Sequence, residues 1–262
     1  MTSHTNDTRA FLGVDFAPLT LADAHRWIVD AIGGDRFRYL VTPNVDHLVM
    51  LHTDRGEAWR VGYRKAVREA DLIINDSRVL ARLARLSGLV LPVTPGSDLT
   101  RELVAGGLPP DTTVALIGGS EAETAWLQAA LPHARILHHL PPMGVRDRAD
   151  LHEAIARFVE DAGAQLTLFA IGAPQSELVA HTIARRGRAR GVALCIGASV
   201  EFLSGAQRRA PRWMQRSGTE WAFRLLSEPR RLWRRYLVEG PRIFAIWWRW
   251  RGQDRGVTFP PP

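Results

Sequence analysis

The sequence predicts an α/β fold, a Rossmann-like parallel sheet flanked by helices, followed by a C-terminal helical appendage rich in arginine and tryptophan. Three observations predict it. Short apolar runs alternate with stretches of helical spacing as far as residue 196, the pattern of βαβ units around a parallel sheet. Most of these runs stop at Gly, Pro, Asn or Asp, which end strands and open turns. From Gly205 onward the composition changes: thirteen arginines stand against four acids, giving that segment +9 of a net +7, so the preceding residues carry −2.

The elements follow in order. Residues 1–10 are polar and lack the apolar region of a signal peptide. Residues 38–41 form a strand stopped by Thr42-Pro43-Asn44, and an amphipathic stretch begins at Val45. Residues 71–74 (DLII) form the next, closed by Asn75-Asp76-Ser77 before a helix to Leu86. Residues 113–117 (TVALI) end in Gly118-Gly119-Ser120 and a helix through Leu131; residues 135–139 are a short β-like run. Residues 166–171 (LTLFAI) end in Gly172-Ala173-Pro174-Gln175 and a helix to about Arg186, and residues 192–196 end in Gly197-Ala198-Ser199. This places an α/β catalytic core in residues 1–206. Ligands of such sheets lie beyond the carboxyl ends of the strands, so Thr42, Asn44, Asp76, Gly118, Gly119, Gln175 and Glu201 are the residues to examine.

The tail, residues 207–262, reads as helices over 212–226 and 229–238 and a third from Pro241, with a frayed end over 257–262. Six of the nine tryptophans lie there. Arginine binds phosphate through two parallel hydrogen bonds, and tryptophan suits a boundary between water and apolar material. The predicted partner is an anionic membrane surface. No stretch reaches the roughly 20 apolar residues of a spanning helix, so the contact is expected to be peripheral. Because the strand pattern is complete by Ile196, the body is expected to fold without the tail.

Individual motifs each carry two readings. Gly118-Gly119-Ser120 could cradle phosphate at a helix N-terminus or simply make a tight βα turn. Asp76 could cap the following helix or stand as a general base. Arg224, Arg231 and Arg234 are spaced to share one helical face if Pro229 does not bend it, either as a solvated face or as a diphosphate clamp. The nine histidines lack ligand spacing, the single Cys195 offers neither disulfide nor thiolate metal site, and no Asp-x-Asp occurs. The expectation is therefore no metal and no cofactor, with arginines neutralising a leaving diphosphate.

Thr42-Pro43-Asn44, Gly96-Ser97-Asp98-Leu99, Gly172-Ala173-Pro174-Gln175, Arg209-Ala210-Pro211-x-Trp213, Gly218-Thr219-Glu220-Trp221 and Arg224-Leu225-x-x-Glu228-Pro229-x-Arg231 occur in that order. Together they resemble the WecG/TagA/CpsF family, glycosyltransferase family 26. The resemblance implies inverting transfer of a hexose from a UDP-sugar to a polyprenyl-diphosphate-linked sugar at the cytoplasmic face of the membrane. It implies Asp76 as base, Thr42, Asn44 and Gln175 as pocket residues, and Arg224, Arg231 and Arg234 as functional arginines of the appendage. Gly118, Gly119, Ser120 and Glu201 are the remaining candidates for donor contacts, and a homo-oligomer is possible. The Asn75-Asp76-Ser77 and Ile196-Gly197-Ala198-Ser199 versions resemble the branch that adds glucose in xanthan-type exopolysaccharide assembly, which points to UDP-glucose. The alternatives are an N-acetylmannosaminyl or N-acetylmannosaminuronyl transferase of the same family, or a non-catalytic module that grips anionic lipid or nucleic acid. The family motifs in the acidic body count against nucleic acid as partner.

Overall fold

The computed structural model describes residues 7–53, 56–205, 210, 211, 213, 214 and 218–252. Six parallel strands form the sheet: β3 (Phe37–Val41), β4 (Leu72–Ile73), β5 (Thr113–Gly118), β6 (Arg135–His139), β7 (Leu166–Ala170) and β8 (Gly191–Cys195). Their order across the sheet is β4-β3-β8-β7-β5-β6, and every pairing is parallel. These are the six runs expected from sequence. The central strands are apolar on both faces because both faces are covered. In β3, Tyr39 and Val41 point into one core and Leu40 into the other; in β8, Ala193 and Cys195 oppose Leu194 in the same way.

One face is covered by α2 (Val45–His52), α3 (Ala58–Arg68), α4 (Arg78–Arg85), α7 (Ala149–Ala162) and α8 (Gln175–Arg186). The other is covered by α1 (Leu21–Ile32), α5 (Gly96–Gly106), α6 (Glu121–Ala130) and the short α9 (Ser199–Leu203). The chain leaving β3 thus runs onto one face and the chain leaving β8, its neighbour, onto the other. Their carboxyl ends part, and that divergence opens the crevice in which such sheets bind ligands.

Two features were not legible in the strand pattern. An antiparallel hairpin, β1 (Arg9–Phe11) and β2 (Val14–Phe16), opens the described chain, and its turn residues Leu12 and Gly13 have φ of 51° and 74°. The tail contributes α10 (Glu220–Ser227), α11 (Pro229–Trp233), a π-helical turn over Arg234–Glu239 and α12 (Arg242–Gly252). The last of these is no free appendage. Ile243, Ile246 and Trp250 are buried in the same core as Phe11, Val41 and Tyr63. Trp250 meets Phe11 edge-on at 5.1 Å, and Trp247 Nε1 donates to the Leu83 carbonyl at 3.1 Å and to Ser87 Oγ at 2.9 Å. Removing the tail would strip apolar cover from the hairpin and from α4. The arginines at 208, 209, 212, 216 and 255, and the frayed end expected over 257–262, lie outside the described residues.

Candidate active site

The floor of the crevice is made by the ends of β3 and β8. The buried Thr42 hydroxyl donates to the Cys195 carbonyl at 3.2 Å, tying the two diverging ends together. Asn44 caps α2: its Oδ1 accepts from the Asp46 amide at 3.0 Å and lies 2.9 Å from His47 Nδ1. Gly96, the first residue of α5, closes in from the other face. A Cβ there would stand 3.2 Å from Ser199 Oγ and 3.4 Å from Thr42 Oγ1, so only a bare backbone fits without displacing its neighbours.

Asp76 stands just beyond β4, beside this floor. Its main-chain amide donates to the Pro43 carbonyl at 3.2 Å, and its Oδ1 accepts from the Gly96 amide at 3.2 Å. It does not cap α4. Ser77 does, accepting from the Leu80 amide, while Asn75 Oδ1 accepts from the Ser77 amide. The capping reading of Asp76 is thereby removed, and its carboxylate is left beyond the strand end with one backbone partner. Burial pushes its pKa up from the usual carboxylate range to about 6, against the opposing influence of Arg224 and then of His47. A carboxyl group with that pKa is largely ionised at neutral pH and still basic enough to take a proton.

The tail arginines divide into two groups. Arg224, on α10, packs over the Phe202 ring at 4.6 Å and is the principal cation facing Asp76. Arg231, on α11, faces Glu201 together with Arg224. Glu201 sits in α9 with its pKa raised by burial, reinforced by Glu123. Arg234 is elsewhere. α10 ends at Ser227, Glu228 at the junction adopts φ −136° and ψ 62°, and α11 restarts at Pro229. With the π-helical turn that begins at Arg234, this break separates Arg234 from Arg224 and Arg231. Arg224 lies 3.6 Å from Glu220, Arg231 grips Glu228 through two bonds of 2.5 and 2.7 Å, and Arg234 lies 3.5 Å from Glu239.

Arg234 opens instead onto a cleft of about 620 Å³, shared with Gln175. Trp59 forms part of its wall, with the Arg60 guanidinium 4.3 Å and that of Arg146 5.1 Å from its ring centroid. Arg235 closes the same cleft by pairing with Asp46 of α2 at 3.2 Å. The cleft therefore lies between the body and the tail, and its arginines are held by neighbouring acids.

The glycine turn takes its structural role. Gly118 and Gly119 have φ of 82° and 76°, and a Cβ at Gly118 would come within 2.5 Å of Ile171. Ser120 and Glu123 close a capping box on α6, the Glu123 carboxylate accepting the Ser120 amide at 2.7 Å. A carboxylate already holds the Ser120 amide at that helix end, which favours the tight-turn reading of Gly118, Gly119 and Ser120 over the phosphate cradle.

The model of the Glycosyl transferase WecG/TagA/CpsF family matches residues 9–256, nearly the whole chain. The chain belongs to this glycosyltransferase family. Its activity is therefore transfer of a sugar from a donor to a lipid-linked acceptor in cell-surface polysaccharide synthesis. Among the described residues of this glycosyltransferase no helix is long and apolar enough to cross a membrane. Large apolar side chains are nonetheless exposed along the tail: Trp213, Leu226, Trp233, Phe244 and Trp248 are each more than half exposed.

Sequence reasoning missed Gly96 as a backbone donor, Trp59 and Arg146 as cleft wall, and the pair His47 and Glu177. The first and last left a trace: Gly96 opens a recognised motif, and His47 stands three residues after a capping Asn.

Proposed function

We propose that this glycosyltransferase moves a hexose, glucose, from UDP-glucose to a polyprenyl-diphosphate-linked sugar with inversion, as in glycosyltransferase family 26, and without a metal. The observation that carries the reading is Asp76, a carboxylate in the crevice with its pKa lifted to about 6 and a guanidinium beside it. In the transfer, an acceptor hydroxyl attacks the anomeric carbon from the face opposite UDP. The new carbon–oxygen bond forms as the bond to UDP breaks, the hydroxyl proton passes to Asp76, and UDP leaves with the bonding electrons. One in-line displacement inverts the anomeric centre. Arg224 and Arg231 offset the charge that develops on the diphosphate, exchanging their neighbouring acids for its oxygens.

The division of the arginines supports separate roles. Arg224 and Arg231 face the strand ends and suit the UDP diphosphate, with Glu201 in reach of the donor. Arg234 and Gln175 border the cleft between body and tail, which suits the acceptor, with Thr42 and Asn44 shaping the floor where the two meet. The exposed tryptophans and arginines of the tail fit an anionic bilayer at the cytoplasmic face, each basic residue near such a surface contributing about 1 kcal/mol.

The test is UDP release from UDP-glucose, UDP-N-acetylmannosamine and UDP-N-acetylmannosaminuronate, each with a short-chain prenyl-diphosphate-linked sugar, in the presence of excess EDTA. Turnover confined to UDP-glucose is expected. Preference for either mannosamine donor would overturn the glucose assignment, and activity that returned only with Mg²⁺ or Mn²⁺ would overturn metal independence.

A further inference from the structure

Glu177 is a buried carboxylate that the reaction above leaves unused. Its side chain is 2 % exposed, at the third position of α8 and two residues from Gln175. A glutamate at that position ordinarily closes a capping box on the amide of the N-cap residue. Here the N-cap is Pro174, which has no amide hydrogen to give, and no side-chain cap forms. Oε2 has no hydrogen-bond partner among the described residues. Oε1 faces His47 Nε2 at 3.6 Å. An ionised carboxylate taken from water without a partner is costly, so the placement of this one calls for a cause.

His47 supplies it. Its Nδ1 lies 2.9 Å from Asn44 Oδ1 and 3.3 Å from the Asn44 amide, so the ring can donate to the first or accept from the second. In the first arrangement a proton on Nε2 makes the ring cationic, and that proton points at Glu177. The remaining titratable groups around Glu177 are Tyr39 on β3, Tyr63 on α3 and Cys195 on β8, all buried and all held neutral by burial, with the Glu177 charge adding to the effect. The imidazole also acts electrostatically on Asp76, as do Arg224 and Glu220 of α10, and Asp76 accepts from the Gly96 amide. The contacts thus run from the start of α8, through His47, to Asn44 at the end of β3, and the imidazole's influence extends to Asp76.

We infer that Glu177 and His47 form a carboxylate–imidazole pair that positions Asn44 and keeps a positive charge beside Asp76, with Glu177 acting only through the imidazole. The inference rests on the reading of Asp76 as base. Glu177 is a positioning residue: it holds the proton on Nε2 while Nδ1 donates to Asn44 Oδ1, and so fixes where the charged ring points. The chemistry is that of an acid which orients a histidine, here in the service of a carboxylate base rather than of a nucleophile.

Glu177→Gln, His47→Gln, the double variant and Asp76→Asn are compared in the full chain, by UDP release from UDP-glucose with the short-chain acceptor and by imidazole ¹⁵N spectra. The His47 signals are assigned by their loss in His47→Gln. Glu177→Gln is expected to lower kcat at least tenfold with KM for UDP-glucose within about twofold, and to move the acidic limb of the kcat/KM profile to higher pH. In its spectrum the Nε2 of His47 should lose its proton at a lower pH than in the parent. The double variant should be no slower than His47→Gln, because the two residues act as one unit. A merely structural Glu177 would lower Tm but move neither the limb nor the ¹⁵N shifts. Unchanged His47 shifts in Glu177→Gln, or losses that multiply in the double variant, would overturn the pairing, and the spectra decide this whatever the donor. Full turnover in Asp76→Asn would instead refute the base on which the role of the pair depends.

Discussion

At the carboxyl edge of the sheet the ionisable groups are few, shielded and incompletely partnered. Asp76 has one backbone donor, Glu177 leaves an oxygen bare, and Glu201 is pushed up by burial. Along the tail the arginines are many and largely exposed, and Arg224, Arg231 and Arg234 each rest on an acid three to five residues away. The two regions differ in what they can do. Charge in a shielded setting has its proton affinity altered, which suits it to bond making. Charge on an exposed helix, parked on a neighbour at small cost, can be exchanged for a ligand phosphate, since such surface pairs are worth only about 0–1 kcal/mol. The edge holds its groups in place; the tail holds its groups in reserve.

The comparison breaks most clearly at Asp76. Asp76→Asn preserves shape and the bond from Gly96, and is expected to lower turnover by about 10²–10⁴-fold. The same variant has an opposite effect on stability. The folded-state pKa of Asp76 is raised, so the folded protein binds the extra proton between pH 3.8 and about 6, and the parent loses stability as pH rises through that window. Asp76→Asn should therefore melt above the parent at pH 8, the gap closing as pH falls below about 4. Thermal melts at the two pH values check this, and a variant less stable than the parent at pH 8 would remove the burial argument.

Next in size is the joint between the regions. Trp250→Ala should destabilise the whole chain by about 3–5 kcal/mol, seen by urea unfolding, because Trp250 belongs to the core of the body. A tail that melted separately, with the body unaffected, would restore the picture of an independent appendage. Smaller again, Arg231→Ala is expected to lower kcat on the order of 10²-fold with vesicle binding nearly intact, whereas Arg234→Ala should act chiefly on KM for the acceptor. Equal effects of the two on the donor would dissolve the division drawn here. The smallest is Trp248→Ala: 71 % exposed, it should change stability by no more than about 0.5 kcal/mol yet weaken binding to anionic vesicles in a sedimentation assay.

The six strands were readable because apolar runs that end in Gly, Pro or Asn recur with helical stretches between them, and both properties are local. The hairpin was not, since three-residue strands carry too little pattern. Asp76 could be singled out from its place after a strand, but not freed from the capping role until Ser77 was seen to take that role. The glycine turn read two ways for a similar reason: the carboxylate that fills it comes from Glu123, and a capping box competes with a phosphate for the same amides. The arginines looked collinear because spacing assumes one helix, and the break at Glu228 and the π-helical turn separate them. Glu177 and His47 lie far apart in sequence, and nothing local announces that Pro174 denies the glutamate its ordinary partner.

The contact of Trp250 with Phe11 also has a bearing on how the protein is made. The hairpin is synthesised well before α12, so Phe11 waits for its Trp250 partner while most of the body is already made. During synthesis Phe11 and the end of α4 stay open to chaperones and proteases, and a polypeptide that stops short of Trp250 never closes them. A glycosyltransferase with Arg224 and Arg231 in place but without α12 would leave Phe11 and the end of α4 without that cover, the kind of apolar surface that chaperones and proteases recognise.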